Sequence, residues 1–480
     1  MCETSGWDMR GQVLLATVST LAALSLWTFS AHPLSPMAAG LGLLSVAAAL
    51  RWPSWVLLLF AVFSIFRLHE VLPILQPLHL PQALSVLGLA SVGWHILISG
   101  RIKPHLSAEL KALLVFAVLI SLGVPIAKSP HLAYSYWTEN FLKLVVFTIA
   151  LSWVLRGPAD FRAAVYMIVL SGALVGAVTI LNKLNGVGLV ELTRATVARE
   201  LGSPLGDPNI LALTLALSLS FCLCLVLFRE RAADAVLGVL GSGLVIAGVI
   251  CTQSRGGLLG VLAVLAVSFT QVMKSRTLIV FVPLLAAGLY AIMGLSERVS
   301  GDAAAMSEES AYGRLYAWTA SINMALDRPL TGMGINNFIS EFYAYTTVWL
   351  DHAITAHSTW FQVLGETGLA GFAVFVAIVV LTFRSAGRAY GSLKRNSAPR
   401  AVQGFAFAIV AGLAGFCVAG SFLSQAYDWS FYLLVAFSSA VARWSTTSAG
   451  APDLMNVPER SPILSSEMAA GPIHPGDGRR

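Results

Sequence analysis

A few side chains in this chain stand where they could do chemistry rather than only fold it. Arg255 lies in the run Thr252–Gly257 (TQSRGG), at the junction between one apolar segment and the next. A guanidinium there stays charged and offers a planar fork of donors suited to an anion such as phosphate. The plainer reading is an arginine that stretches from the apolar layer to water, as cations at such depth commonly do. Arg314 has Trp318 four residues on, hence on the same helical face, with a solvated loop arginine as its alternative. Arg194, Arg199 and Arg328 share the same set of loops. His357 closes a long loop just before an apolar segment that starts at Trp360. An imidazole with a pKa of about 6.5 is neutral and proton-accepting at neutral pH. His352 is a rival in that loop, and an ordinary interfacial histidine is the alternative for both.

Carboxylates and amides are sparser. Glu366 lies nine residues beyond His357, which on one continuous helix is about 180° around and about 13 Å along. It cannot orient His357 unless the helix breaks, which Gly365 and Gly368 would permit; a buried, interhelical hydrogen-bonding role is the reading favoured here. Asp207 and Asn209 bracket Pro208, the pattern of a helix start, so capping and a site role both stand open.

Such groups need a frame, and the composition supplies it. The chain has 480 residues, 57% hydrophobic and 11% charged, with a mean hydropathy of +0.77. Soluble domains carry about 25% charged residues, so roughly half the usual water-facing chemistry is missing. Apolar runs recur at Gly11–Trp27, Pro36–Leu50, Pro53–Phe66, Leu80–Ile98, Glu109–Pro125, Asn140–Leu155, Phe161–Leu181, Asn209–Phe228, Ala233–Thr252, Gly256–Met273, Thr277–Leu295, Trp360–Phe383, Ala401–Leu423 and Ser430–Val441. Most approach the length that crosses a hydrocarbon layer about 30 Å thick. Pro36–Leu50 and Pro53–Phe66 are short for single crossings, so about 12 to 14 transmembrane helices are expected. The alternating strands of a membrane barrel are absent. The expected fold is an all-α polytopic membrane protein with a large outward-facing helical loop before its last three spans.

Lys and Arg crowd into one set of loops, among them Arg101, Lys103, Arg156, Arg229, Arg231, Arg384, Arg388, Lys394, Arg395 and Arg400. That bias makes this set cytoplasmic, with both termini on the same side. The net charge of +6 is then a topology signal; no basic cluster with interleaved aromatics points to nucleic acid. The first apolar run has no small-residue cleavage site and reads as a retained anchor. Cys2, Cys222, Cys224, Cys251 and Cys417 show neither metal-ligand spacing nor a disulfide framework, and the last four read as small buried hydrophobes.

Two outward loops exceed the usual connection length, Asn182–Pro208 and Ser296–Thr359. In the second, Ser300–Ser310 is small and polar and reads as mobile, whereas Tyr312–Leu326 places Leu315, Trp318, Ile322 and Leu326 at helical spacing. Pro329, Gly332 and Gly334 then enforce a turn. An ordered cap lying on the membrane surface is expected. The tail beyond Ser445 reads as disordered. The resulting division is 1–207 and 208–295 for membrane helices, 296–359 for the outer loop, 360–443 for the last membrane helices and 444–480 for the tail.

The runs DRPLTGMGINNF (Asp327–Phe338) and AHSTWFQVLGETGLAGF (Ala356–Phe372) resemble the signature of the O-antigen ligase and polymerase superfamily. TQSRGG, and GDPNILA (Gly206–Ala212), are similar to further elements of it; Ser358 departs from the asparagine that relatives usually carry after the histidine. The motifs span Gly206 to Phe372, about half the chain. The resemblance implies a glycosyltransferase of a bacterial inner membrane acting on the periplasmic side in lipopolysaccharide biosynthesis. Its donor would be a glycan on undecaprenyl diphosphate, and its acceptor a lipid A-core or other glycan hydroxyl. It also implies that Arg255 and Arg314 hold the diphosphate and that His357 is the general base, with Arg194, Arg199, Arg328, Asp207, Asn209 and Glu366 as further site residues. Lipid activation of the donor needs no nucleotide, and neither a P-loop, a zinc pair nor Asp-x-Asp occurs, so no metal and no cofactor are expected. An O-antigen polymerase and a protein O-oligosaccharyltransferase of the same superfamily remain alternatives. A lipid-linked oligosaccharide transporter is a further one, of another class, although midplane polar residues and inverted repeats are not found.

Overall fold

The computed structural model describes residues 35–273, 301–348 and 353–449, with a few scattered residues before 35 and between 273 and 301. The expected spans Gly11–Trp27 and Thr277–Leu295, and His352, lie outside the described residues.

The described chain is helical, as its near-continuous apolar runs require where lipid offers no partner for a free backbone group. Its helices are α1 (Ser35–Arg51), α2 (Pro53–Phe66), α3 (Leu80–Leu97), α4 (Ala108–Gly123), α5 (Pro130–Tyr136), α6 (Leu142–Val154), α7 (Pro158–Asn185), α8 (Pro208–Leu227), α9 (Ala232–Thr252), α10 (Arg255–Phe269), α11 (Gly301–Asp327), α12 (Phe338–Tyr345), α13 (Thr359–Arg395), α14 (Arg400–Gly420) and α15 (Trp429–Ala449). The strands β1 (Leu189–Val190) and β2 (Arg194–Ala195) form a two-residue antiparallel pair. Seven of the helices are long and apolar enough to cross a membrane: α3, α4, α7, α8, α9, α13 and α14. The two short segments before them are not independent crossings. α1 and α2 bend by 106° at Pro53, whose ring cannot continue a helix, and together they make an eighth candidate span.

α8 is the axis of the bundle. It packs on α7, α9, α10 and α14 and buries Leu211–Leu225 almost without interruption. A helix apolar around its whole circumference belongs in such a position. Close approach is provided by small residues: a Cβ on Gly238 would lie 2.6 Å from the Cys222 carbonyl, and one on Gly248 3.1 Å from Gly176 Cα. Cys222 and Cys224 are buried there as free thiols. Outward-facing Val86, Leu97, Val115, Val118, Leu122, Val236 and Leu240 are exposed, as lipid contact requires.

One end of the bundle is tied by the Arg162–Glu230 ion pair and by Arg443, which donates to the Leu155 carbonyl at 2.8 Å. The other end carries the long loops. Here α11 begins at Gly301, so the small polar stretch expected to be mobile is helical from there on. The helix expected over Tyr312–Leu326 is present. Leu315, Ile322 and Leu326 are 52%, 42% and 69% exposed, while Ala317, Ala320 and Met324 pack against Phe338, Phe342 and Met333. Small residues let α11 sit close to α12 and α13, and the bulkier stripe is left on the outside. α15 runs four residues beyond Ser445, into the stretch expected to be disordered, and the chain beyond Ala449 is outside the described residues.

Candidate functional site

The site assembles where α8 and α10 begin. Asp207 caps α8: Oδ1 accepts from the backbone N–H of Asn209 at 2.7 Å and of Ile210 at 3.3 Å. Ser254 caps α10, its Oγ accepting from Gly257 N–H at 3.2 Å, and Arg255 is the first residue of that helix. Gly256 and Gly257 follow Arg255 in the first turn of α10. Both are buried, and a Cβ on Gly257 would collide with Ala212 of α8, so these glycines let the two helices meet.

A second layer fixes that turn. Arg194, on β2, donates from Nη2 to Asn209 Oδ1 at 2.7 Å and from Nε to the Thr252 carbonyl at 3.2 Å. Ser254 Oγ donates to the same Asn209 oxygen at 2.8 Å. Arg199 donates to the Gly206 carbonyl at 3.2 Å and so supports the turn ahead of Asp207. Arg194, Asn209 and Arg199 therefore shore up the site from behind.

Arg255 is exposed, and no described residue forms an ion pair with it. Arg314 reaches the same place from α11. Its Nε is buried without a hydrogen-bond partner among the described residues. Burial, and then the charge of Arg255, push the proton affinity of Arg314 down, so two like charges lie within electrostatic reach. Trp318 stacks on Phe361, with centroids 5.0 Å apart and planes at 13°, and holds this turn of α11 against α13. His357 sits two residues before α13 with φ at +46°, a left-handed backbone conformation that is costly for a non-glycine residue and concentrates at functional sites. Its imidazole is held below its ordinary value by burial and by Arg314, with Asp207 opposing. Thr355 Oγ1 lies 3.3 Å from Nδ1. Arg255, Arg314, His357 and Asp207 thus form one chain of interacting charges.

Glu366 and Arg328 lie elsewhere. Glu366 is buried on α13, facing the backbone of Asn336 and Phe338 and the side chains of Gln362 and Tyr427. The helix does break, but at Gly368 (φ +68°, ψ −172°), beyond Glu366, and this does not turn the carboxylate toward His357. Arg328 donates to the Ile126 carbonyl at 2.8 Å. Both belong to an interlock between the two signature runs. Met333 and Gly334 N–H donate to the carbonyls of Gly365 and Glu366, each at 3.0 Å, and Leu369 N–H donates to Pro329 at 2.7 Å. A Cβ on Gly368 would lie 2.6 Å from the Pro329 carbonyl. Asn337, buried and overlooked in the sequence, accepts from Ser129 N–H at 2.7 Å and ties the same loop to the start of α5. Its signal was its place inside a shared run; Thr355 had none beyond standing two residues before a histidine.

Such an arrangement can bind an oxyanion between two guanidiniums and place a neutral imidazole beside it. Among the described residues no three of His, Cys, Asp and Glu converge as a metal would require.

Residues 240–376 match the family model described as O-antigen ligase, and this stretch is a domain of that superfamily. It contains Arg255, Arg314, Arg328, His357 and Glu366, and it begins after Arg194, Arg199, Asp207 and Asn209. Comparison with the curated proteins gives no match.

Proposed function

We propose, with the O-antigen ligase domain as premise, that this chain transfers a glycan from undecaprenyl diphosphate to a sugar hydroxyl of lipid A-core. The reaction occurs on the periplasmic face of a bacterial inner membrane. His357 takes the proton of the acceptor hydroxyl, whose oxygen attacks the anomeric carbon from the face opposite the leaving group. The bond from that carbon to the diphosphate oxygen breaks with inversion, and undecaprenyl diphosphate leaves. Arg255 and Arg314 hold the diphosphate and take up the charge that grows on it, a role in which fixed donors contribute most to rate.

The observation that carries this reading is the pairing of two arginines, neither ion-paired to a described carboxylate, with a histidine whose proton affinity burial and Arg314 lower. The Lys and Arg bias supports the topology, because the loops poor in cations meet at the end of the bundle that holds this site.

The test is transfer by purified protein in nanodiscs. It receives undecaprenyl-diphosphate glycan and lipid A-core with chelator and without nucleotide, alongside His357→Ala and Arg255→Ala. Glycan on the core in the wild type, lost in both variants, supports the reading. Glycan that lengthens on the carrier while the core stays bare makes the chain a polymerase. No transfer to any acceptor, with glycan export in cells intact in both variants, overturns the enzyme reading in favour of transport.

A further inference from the structure

A polar cavity of about 300 Å³ lies beside the arginine–histidine site, among α2, α6, α8 and the turn between α14 and α15. Its walls continue the site. Pro204, Leu205 and Ile210 flank Asp207 in sequence and line the cavity. Gln362, five residues beyond His357, lines it too and accepts from Ala426 N–H at 3.3 Å. The turn that presents Asp207 and the segment that presents His357 therefore both lead into it.

Its chemistry is unlike that of a lipid-filled gap. Gln425 is 5% exposed, and its Oε1 has no hydrogen-bond partner among the described residues; the same holds for the buried Ser424 Oγ. Buried polar atoms left unpaired are costly and call for a partner from outside the fold. Asn140 lines the cavity from a π-helical turn, Trp137–Phe141, a distortion frequent at functional sites. Tyr136 and Trp429 add aromatic surface. The cation in the wall, Arg67, is already held by Glu70 at 2.8 Å. Amides, hydroxyls and the Asp428 carboxylate beside aromatic faces suit a polyhydroxylated ring, whose C–H faces pack on aromatics while its hydroxyls pair with the polar groups. The volume stands at the lower end of ligand pockets, which run from about 300 to 1,000 Å³, and so fits one ring rather than a chain of them.

We propose that this cavity is a carbohydrate subsite that holds one sugar ring next to the reacting bond, with Gln425, Ser424 and Asn140 reading its hydroxyls. The proposal rests on the glycosyltransferase reading above. The ring belongs either to the accepting core or to the glycan being transferred, and the same polar set recognises either. A site built to pair a hydroxyl discriminates strongly against a ring that lacks it, so the cavity selects which sugar reacts.

The test is saturation-transfer NMR on the full chain in nanodiscs. Lipid-free core oligosaccharide is one probe and lipid-free repeat-unit oligosaccharide the other. The wild type is compared with Gln425→Leu, Asn140→Leu and His357→Ala, and undecaprenyl diphosphate binding checks that each variant is folded. The expected result is that one oligosaccharide binds the wild type and His357→Ala alike, and that affinity falls about tenfold in each leucine variant, one hydrogen bond's worth. Which probe binds names the source of the ring. Binding of neither probe, or equal binding by all four proteins, overturns the subsite. Transfer measured on the same samples separates the two claims. A wild type that binds through Gln425 yet transfers nothing keeps the subsite and removes the reaction, whereas normal transfer by both leucine variants with unchanged affinity does the reverse.

Discussion

Arg194 reaches from the hairpin to Asn209 at the start of α8, Nη2 to Oδ1 at 2.7 Å, and that oxygen also accepts from Ser254. The arginine one residue beyond Ser254 thus follows a turn braced by Arg194 of the hairpin and Asn209 of α8. Asn209→Ala removes the shared acceptor and strands two donors, a loss of about 1–3 kcal/mol. Transfer is expected to fall about ten- to a hundredfold through kcat. Arg194→Lys keeps the charge but not the fork and should fall nearly as far. Full activity in Arg194→Lys, read in the nanodisc transfer assay, would make this residue a charge and nothing more.

His357 sets the pH dependence. Burial and Arg314 lower its proton affinity and Asp207 raises it, so the neutral, proton-accepting form predominates at a lower pH than for an ordinary histidine. Transfer should rise with pH, with the midpoint of the rise below the usual histidine value of about 6.5. Arg314→Gln removes a lowering influence and moves the rising limb to higher pH. Asp207→Asn removes a raising influence and moves it lower. Profiles of kcat/KM for the three proteins check this, and coincident limbs would remove His357 from the role of base.

Arg255 is expected to matter as a fork as well as a charge. Arg255→Ala should cost about a hundred- to a thousandfold in kcat, the scale of losing one donor to a growing negative charge. Arg255→Lys should recover only part of that. Recovery to the wild-type rate in the transfer assay would reduce its role to net charge.

Gly368 joins the two signature runs. With φ at +68° and a Cβ bound to meet the Pro329 and Arg328 carbonyls at 2.6 and 2.7 Å, Gly368→Ala has no relaxed position. A loss of about 1–3 kcal/mol is expected, seen as a lower thermal midpoint in detergent. Gly387→Ala, on the same helix with nothing within 4 Å, should be neutral or slightly stabilising and serves as the control.

The helices were legible because crossing lipid needs long apolar runs, which survive in the sequence without help from tertiary contacts. Arg255 and His357 stood out through the shared runs that contain them, and Arg314 through its place on the loop helix four residues before Trp318. What one sequence did not carry was direction. The spacing of Leu315, Ile322 and Leu326 found α11 but not the side on which it packs: at a membrane surface the apolar face can be the outer one, and these three are exposed. Nor could spacing separate Arg194, which braces a turn, from Arg255, which stands open. That difference lies in a hydrogen bond between residues fifteen apart and in a hairpin of two-residue strands. Nor does spacing show that the second glycine after Arg255 is a helix contact, a fact set by Ala212.

A connection pinned along its length by main-chain bonds cannot swing as a lid. The stretch from Pro329 to Asn337 is held to the break in α13 and to the start of α5, so this part of the loop acts as a fixed roof. Slow amide exchange at Met333, Gly334 and Leu369, with or without undecaprenyl diphosphate, is the sign to look for; fast exchange on adding the lipid would reveal a door after all. In the proposed reaction the carrier lipid then reaches the exposed Arg255 without this stretch opening.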